Sequence, residues 1–93
     1  MEAKVRKHIY ISGHVQGVGF RWYTNQQASS LGVKGWVKNL ADGRVEAVIV
    51  GDKPKIDKML DLLKQGSPLS QVDDIEVIDE EYRGEFKNFK MKY

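Results

Sequence analysis

Val5-Arg6-Lys7-His8-Ile9-Tyr10-Ile11-Ser12-Gly13-His14-Val15-Gln16-Gly17-Val18-Gly19-Phe20-Arg21 changes its periodicity midway. From Val5 to Ser12 it alternates: Val5, Lys7, Ile9 and Ile11 fall on one side, and Arg6, His8, Tyr10 and Ser12 on the other. That is a strand with one face in a core. Gly13, Gly17 and Gly19 then put three glycines into seven residues, which marks a loop with unusual backbone angles. From Phe20 the apolar or small residues Phe20, Thr24, Ala28 and Leu31 recur at helical spacing, and Gly32 stands where a C-terminal cap belongs. The spacing predicts a helix from about Arg21 to Leu31.

The same reading extends along the chain. Val33 to Leu40 is a second strand, with Val33, Gly35, Val37 and Asn39 on one face. Ala41-Asp42-Gly43 is a turn, and Arg44 to Val50 a third strand. Asp52 is placed as an N-cap, and Pro54 falls in the first turn of a helix that buries Ile56, Met59, Leu60 and Leu63. Gly66 caps that helix and Pro68 stops it. Val72 to Ile78 is a fourth strand. Phe86 to Tyr93 alternates through Phe89, Met91 and Tyr93, as a short last strand or a return of the sheet edge. The order predicts an α+β chain, a ferredoxin-like βαββαβ sandwich whose antiparallel sheet carries both helices on one face. No repeat or linker interrupts it, so residues 1–93 are expected to form a single domain.

Composition narrows the function. Of 93 residues, 41% are hydrophobic and 30% charged, which suits a globular domain. No apolar run reaches the ~18 residues of a membrane span, and Met1-Glu2-Ala3-Lys4-Val5 has no apolar leader core. There are no cysteines, and the histidines are His8 and His14 alone. No ligand spacing suggests a metal site, and no cofactor is expected. A net charge of +2 is too balanced for an electrostatic nucleic-acid binder. Val45-Glu46-Ala47-Val48 also lacks the strand-borne aromatics of an RNA-binding sheet.

Connectivity brings two loops together. If the first strand runs up, its helix returns down and the second strand runs up again. The glycine loop and the Ala41-Asp42-Gly43 turn then share one end of the sheet, with Asn39 and Arg21 beside them. A glycine-rich loop entering a helix turns backbone N–H groups inward, at the positive end of the helix dipole. Arg21 adds a cation where helix stability alone disfavours one, and its fork matches two phosphate oxygens. The Walker and dinucleotide patterns both fail on these residues. The position of the cysteine nucleophile in cysteine-dependent phosphatases is Val15, so a reaction at this cradle needs water as the attacking group. Asn39 has a bland reading as a turn residue and a functional one as an amide that orients water; the end it shares with Arg21 favours the second. His14 adjoins the loop without a feature that makes it a base, and His8 has no evident catalytic partner. Trp22, Tyr23 and Trp36 read as packing residues.

Gly13-His14-Val15-Gln16-Gly17-Val18-Gly19-Phe20-Arg21, with Gly35-Trp36-Val37-Lys38-Asn39-Leu40-Ala41-Asp42-Gly43, closely resembles acylphosphatase. The resemblance extends over the whole chain in length and element order. Gly66-Ser67-Pro68-Leu69 looks like the family's Gly-Pro turn with a serine inserted, a small departure expected to leave the site undisturbed. The resemblance implies hydrolysis of the carboxyl–phosphate anhydride of an acyl phosphate to a carboxylate and inorganic phosphate. It implies that Arg21 binds the phosphoryl group together with the loop amides of Val15, Gln16, Gly17, Val18, Gly19 and Phe20. Asn39 would position the water, with no metal or organic cofactor, in a cytoplasmic monomer without nucleic-acid or membrane partners. The chemistry is consistent: a carboxylate with a pKa of about 4 leaves without much acid assistance. Two rivals stand beside this reading. One is a non-catalytic acyl- or carbamoyl-phosphate binding module like those that begin larger hydrogenase-maturation proteins, against which the 93-residue length speaks. The other is a ferredoxin-like regulatory module.

Overall fold

In the computed structural model, which describes residues 3–93, five strands and two helices follow the expected order. They are β1 (Lys4–His14), α1 (Phe20–Leu31), β2 (Lys34–Asn39), β3 (Val45–Asp52), α2 (Lys53–Gln65), β4 (Gln71–Glu80) and β5 (Phe89–Met91). Met1 and Glu2, the start of the segment read for a leader, lie outside the described residues.

Alternation in β1 buries Ile9 and Ile11 completely, while β3, the middle strand, buries an almost continuous run from Val45 to Val50. On α1 the buried residues are Phe20, Thr24 and Ala28; on α2 they are Ile56, Met59 and Leu63, with Leu60 only half-buried at the margin. These side chains close one core between the helical layer and the sheet. The hydroxyl of buried Thr24 donates to the Phe20 carbonyl at 2.8 Å, so its polarity costs the core little. Tyr23 ties the helices together by donating to the Leu62 carbonyl at 2.9 Å, and burial pushes its phenol above the usual value.

The sheet order is β4-β1-β3-β2-β5. The pairs β1/β3, β1/β4 and β2/β3 are antiparallel, but β5 pairs with β2 in parallel, so the sheet is mixed rather than wholly antiparallel. The reason lies in the path of the chain. β4 ends with Glu80 opposite Arg6, near the start of β1. Because β1 and β2 are both antiparallel to β3, β2 starts at that same end. A chain crossing it meets the outer edge of β2 pointing the same way, and pairs Phe89 with Gly35 and Met91 with Val37. The parallel return carries residues 91–93 to the end of the sheet where β1 and β2 finish.

Two local expectations change. β1 runs on to His14 through a register shift between Ser12 and Gly13, which shortens the loop before α1. Asp52 occupies the N-cap of α2, but its side chain makes no capping bond; it accepts from Lys4 Nζ at 2.7 Å.

On the helix-free face, His8, which the sequence leaves without an evident catalytic partner, sits between two carboxylates. Its Nε2 lies 2.6 Å from Glu46 on β3 and its Nδ1 lies 3.0 Å from Glu80 on β4, with Tyr10 stacked on its ring. Arg6 pairs with Glu80 and, at 3.1 Å, with Glu85 in the crossing segment. Burial would raise the Glu46 carboxyl, but the hydrogen bond and charge of His8, with help from Tyr10 and Lys38, hold it below the usual range. A carboxyl lowered in the folded state stabilises above its unfolded pKa, and that contribution disappears as pH falls through the folded value. The urea midpoint of the wild type is therefore expected to fall between neutral pH and pH of about 3 by more than that of Glu46→Gln. Equal falls in the two proteins would show that Glu46 is not part of the acid sensitivity.

Candidate active site

Val15 and Phe20, each about 1% exposed, are anchored in the core at the two ends of the glycine loop. Between them the chain turns from β1 into α1. Gly17 and Gly19 both sit at φ 73°, in the left-handed region that other residues enter at a cost. Space is not the constraint, since a Cβ at either position would meet nothing within 4 Å; the backbone angle is. Gly19 is the N-cap of α1 and brings no side-chain cap, and the first turn carries no acidic residue. The leading N–H groups of the helix are thus uncapped by side chains, at the positive end of the dipole.

Two side chains hold the loop from outside. Gln16 Nε2 donates to the carbonyls of Leu40 at 2.7 Å and Arg44 at 2.9 Å, tying the loop to the β2–β3 turn. Ser67 is buried, and its hydroxyl donates to the Val18 carbonyl at 3.2 Å. The inserted serine, read from the sequence as a small departure, therefore touches the loop. The β2–β3 turn is secured by Asp42, which accepts from Arg44 N at 3.1 Å and from its Nε at 2.8 Å. The backbone bond first, then the side-chain bond, keep the Asp42 carboxyl below its ordinary value.

A cleft of about 270 Å³ opens at this end of the molecule. Of the residues singled out in the sequence, Val15, Gly17, Gly19, Phe20, Arg21 and Asn39 line it. Gln16 and Val18 do not: the first turns to the β2–β3 turn, and the second is half-buried against the core. His14 is exposed and is not part of the wall, and His8 is engaged on the helix-free face.

Arg21 is half-buried and held from two sides. One guanidinium N–H donates to the Lys92 carbonyl at 2.8 Å, and the Tyr93 ring lies with its centroid 4.6 Å from the guanidinium carbon. The remaining N–H groups of the fork are not used by that bond. Asn39 ends β2, and its Oδ1 is buried without a hydrogen-bond partner among the described residues. An orphaned amide oxygen is costly in a folded protein unless something polar approaches it. Among the described residues, no three His, Asp or Glu side chains gather as a metal site.

Sequence reasoning missed three lining residues: Trp22, Met91 and Tyr93. Met91 and Tyr93 had only a strand alternation to read, and the parallel pairing that brings them here leaves no local signal. Trp22 was read as packing, yet it is 62% exposed. Its signal was available, because a residue two places from both Phe20 and Thr24 lies across the helix from their buried face.

The comparisons agree with this architecture. The family model described as Acylphosphatase matches residues 7–91. An acylphosphatase of Syntrophobacter fumaroxidans is 50% identical over 90 residues, covering 97% of this chain and 93% of its own. The crystal structure of acylphosphatase from Bacillus subtilis superposes with a TM-score of 0.92 at 36% identity, covering 96% of this chain and 99% of that one. Full-length HypF, in its phosphate- and nucleotide-bound form, matches with a TM-score of 0.87 at 28% identity; it covers all of this chain and 12% of its own. With near-complete mutual coverage at half identity, and with the loop, arginine and asparagine arranged as described, the chain belongs to the acylphosphatase family.

Proposed function

We propose that the cleft hydrolyses acyl phosphates by direct attack of water on phosphorus, using Arg21 and Asn39. The observation that carries this reading is that Asn39, whose Oδ1 no described residue satisfies, lines one cleft with Arg21 and the glycine loop. The phosphoryl group sits in the loop, its equatorial oxygens bonded by backbone amides between Val15 and Phe20 and by the free N–H groups of Arg21. The Lys92 carbonyl and the Tyr93 ring hold the fork toward the cleft. Fixed donors aimed at the oxygens where charge redistributes are the principal contribution a protein makes to phosphoryl transfer.

Water bonded to the Asn39 amide keeps a lone pair directed at phosphorus. As its oxygen forms the new P–O bond, the bond between phosphorus and the bridging oxygen breaks, and that electron pair leaves on the carboxylate. A carboxylate is a weak base, so no general acid is required. The amide is not a base either; the water's proton passes to a phosphoryl oxygen and on to solvent. The monomeric state and the cytoplasmic setting implied by the resemblance belong to this reading. A second reading, a binding module without turnover, is separated from this one by the variants below.

Asn39→Ala is expected to lower kcat by about 10²-fold or more, with the inhibition constant of inorganic phosphate and the unfolding midpoint nearly unchanged. A destabilised variant with its full rate per folded molecule would remove Asn39 from the mechanism. Arg21→Lys keeps the charge and loses the fork, so phosphate affinity and turnover should both suffer; a near wild-type kcat/KM would mean that charge alone suffices. Activity should survive exhaustive chelation, and loss with EDTA reversed by Mg²⁺ or Zn²⁺ would overturn the cofactor-free route.

A further inference from the structure

Trp22 is the one large aromatic on the cleft wall for which the fold offers no employment. It stands 62% exposed in the first turn of α1, and its side chain makes none of the hydrogen bonds or ring contacts among the described residues. Yet it lines the same cleft as Arg21 and Asn39, with Met91 on the same wall. The cleft is thus polar where the loop and Arg21 face it, and apolar where Trp22 and Met91 do. An acyl phosphate has the same two-part character, a charged phosphoryl group joined to an acyl group. Anchoring the phosphoryl group in the loop directs the acyl half outward, along the apolar part of the wall.

We infer that Trp22 is a specificity residue for the acyl half of the substrate, and that this enzyme favours acyl phosphates with flat, ring-bearing acyl groups over acetyl phosphate. The inference rests on the acyl-phosphate reading above and adds the substrate class. An indole face offers a broad apolar surface, and a ring laid against it gains both buried area and an offset-stacked geometry. An acetyl group is too small to reach across that surface. The contact is made in the ground state and the transition state alike, so it acts on KM more than on kcat. Because Trp22 lies outside the core, replacing it leaves the fold intact.

The test compares benzoyl phosphate with acetyl phosphate in the wild type, Trp22→Ala and Trp22→Phe, with direct binding of phenylphosphonate and methylphosphonate measured on the same proteins. Trp22→Ala is expected to lower kcat/KM for benzoyl phosphate by about tenfold, chiefly through KM. The loss with acetyl phosphate should be much smaller than with benzoyl phosphate, and Trp22→Phe should recover most of the benzoyl phosphate loss. Wild type should bind phenylphosphonate more tightly than methylphosphonate, and Trp22→Ala should lose that preference. Equal changes for both substrates, or none for either, would overturn the inference while leaving the hydrolytic reading in place. Absence of turnover with both substrates would overturn hydrolysis instead. The phosphonate pair would then still decide Trp22, a preference lost in Trp22→Ala upholding its role and no preference in the wild type refuting it.

Discussion

Between Val15 and Phe20, both buried, the chain has four residues in which to leave a strand and enter a helix. It does so through positive φ at Gly17 and Gly19. Much else in the molecule follows from that reversal. It starts α1 on an uncapped glycine, leaves the first amides of the helix without side-chain partners, and sets Arg21 at the mouth of the cleft rather than over the core. The anchors on either side keep the turn from relaxing: Gln16 bonds it to the β2–β3 turn and Ser67 bonds it to the segment after α2. A loop fixed at both ends and at two points between holds its backbone N–H groups already ordered, as the proposed phosphoryl binding requires.

The second contribution is topological. β1 and β2 run the same way because each is antiparallel to β3, so their ends, and the loops that follow, meet. β5 then adds a third segment by pairing in parallel with β2, and Lys92 N donates to the Val37 carbonyl at 2.8 Å to continue that alignment. Had this segment paired antiparallel, Lys92 and Tyr93 would lie at the far end of the sheet and Arg21 would lack both its carbonyl acceptor and its ring. The site is therefore a product of three strand ends brought level, with side chains from elements distant in sequence.

What the residues disclosed beforehand follows the same division. Arg21, Asn39 and the loop were legible because their placement depends only on local period and on the handing of the chain back and forth between layers. The helices were legible from Ile56, Met59 and Leu63 on one and Phe20, Thr24 and Ala28 on the other. The parallel β5 was not, because a three-residue strand carries no sign of its partner or direction. Tyr93, almost fully exposed, joins the site only through that pairing. The His8 cluster was hidden for a related reason: Glu46 and Glu80 reach it across two different strand registers, which alternation along β1 cannot show. Ser67 looked like an insertion, and only the close approach of the segment after α2 to Val18 gives its hydroxyl an acceptor.

In the proposed reaction, water oriented at Asn39 attacks phosphorus while Arg21 and the loop hold the phosphoryl oxygens. Hydrolysis of an acyl phosphate in ¹⁸O-labelled water, with the products separated and weighed by mass spectrometry, tests it most directly. Attack at phosphorus breaks the bond between phosphorus and the bridging oxygen and predicts the label in inorganic phosphate, with the carboxylate unlabelled. Label in the carboxylate would mean that water attacks the acyl carbon, and the roles assigned to Asn39 and Arg21 would be contradicted.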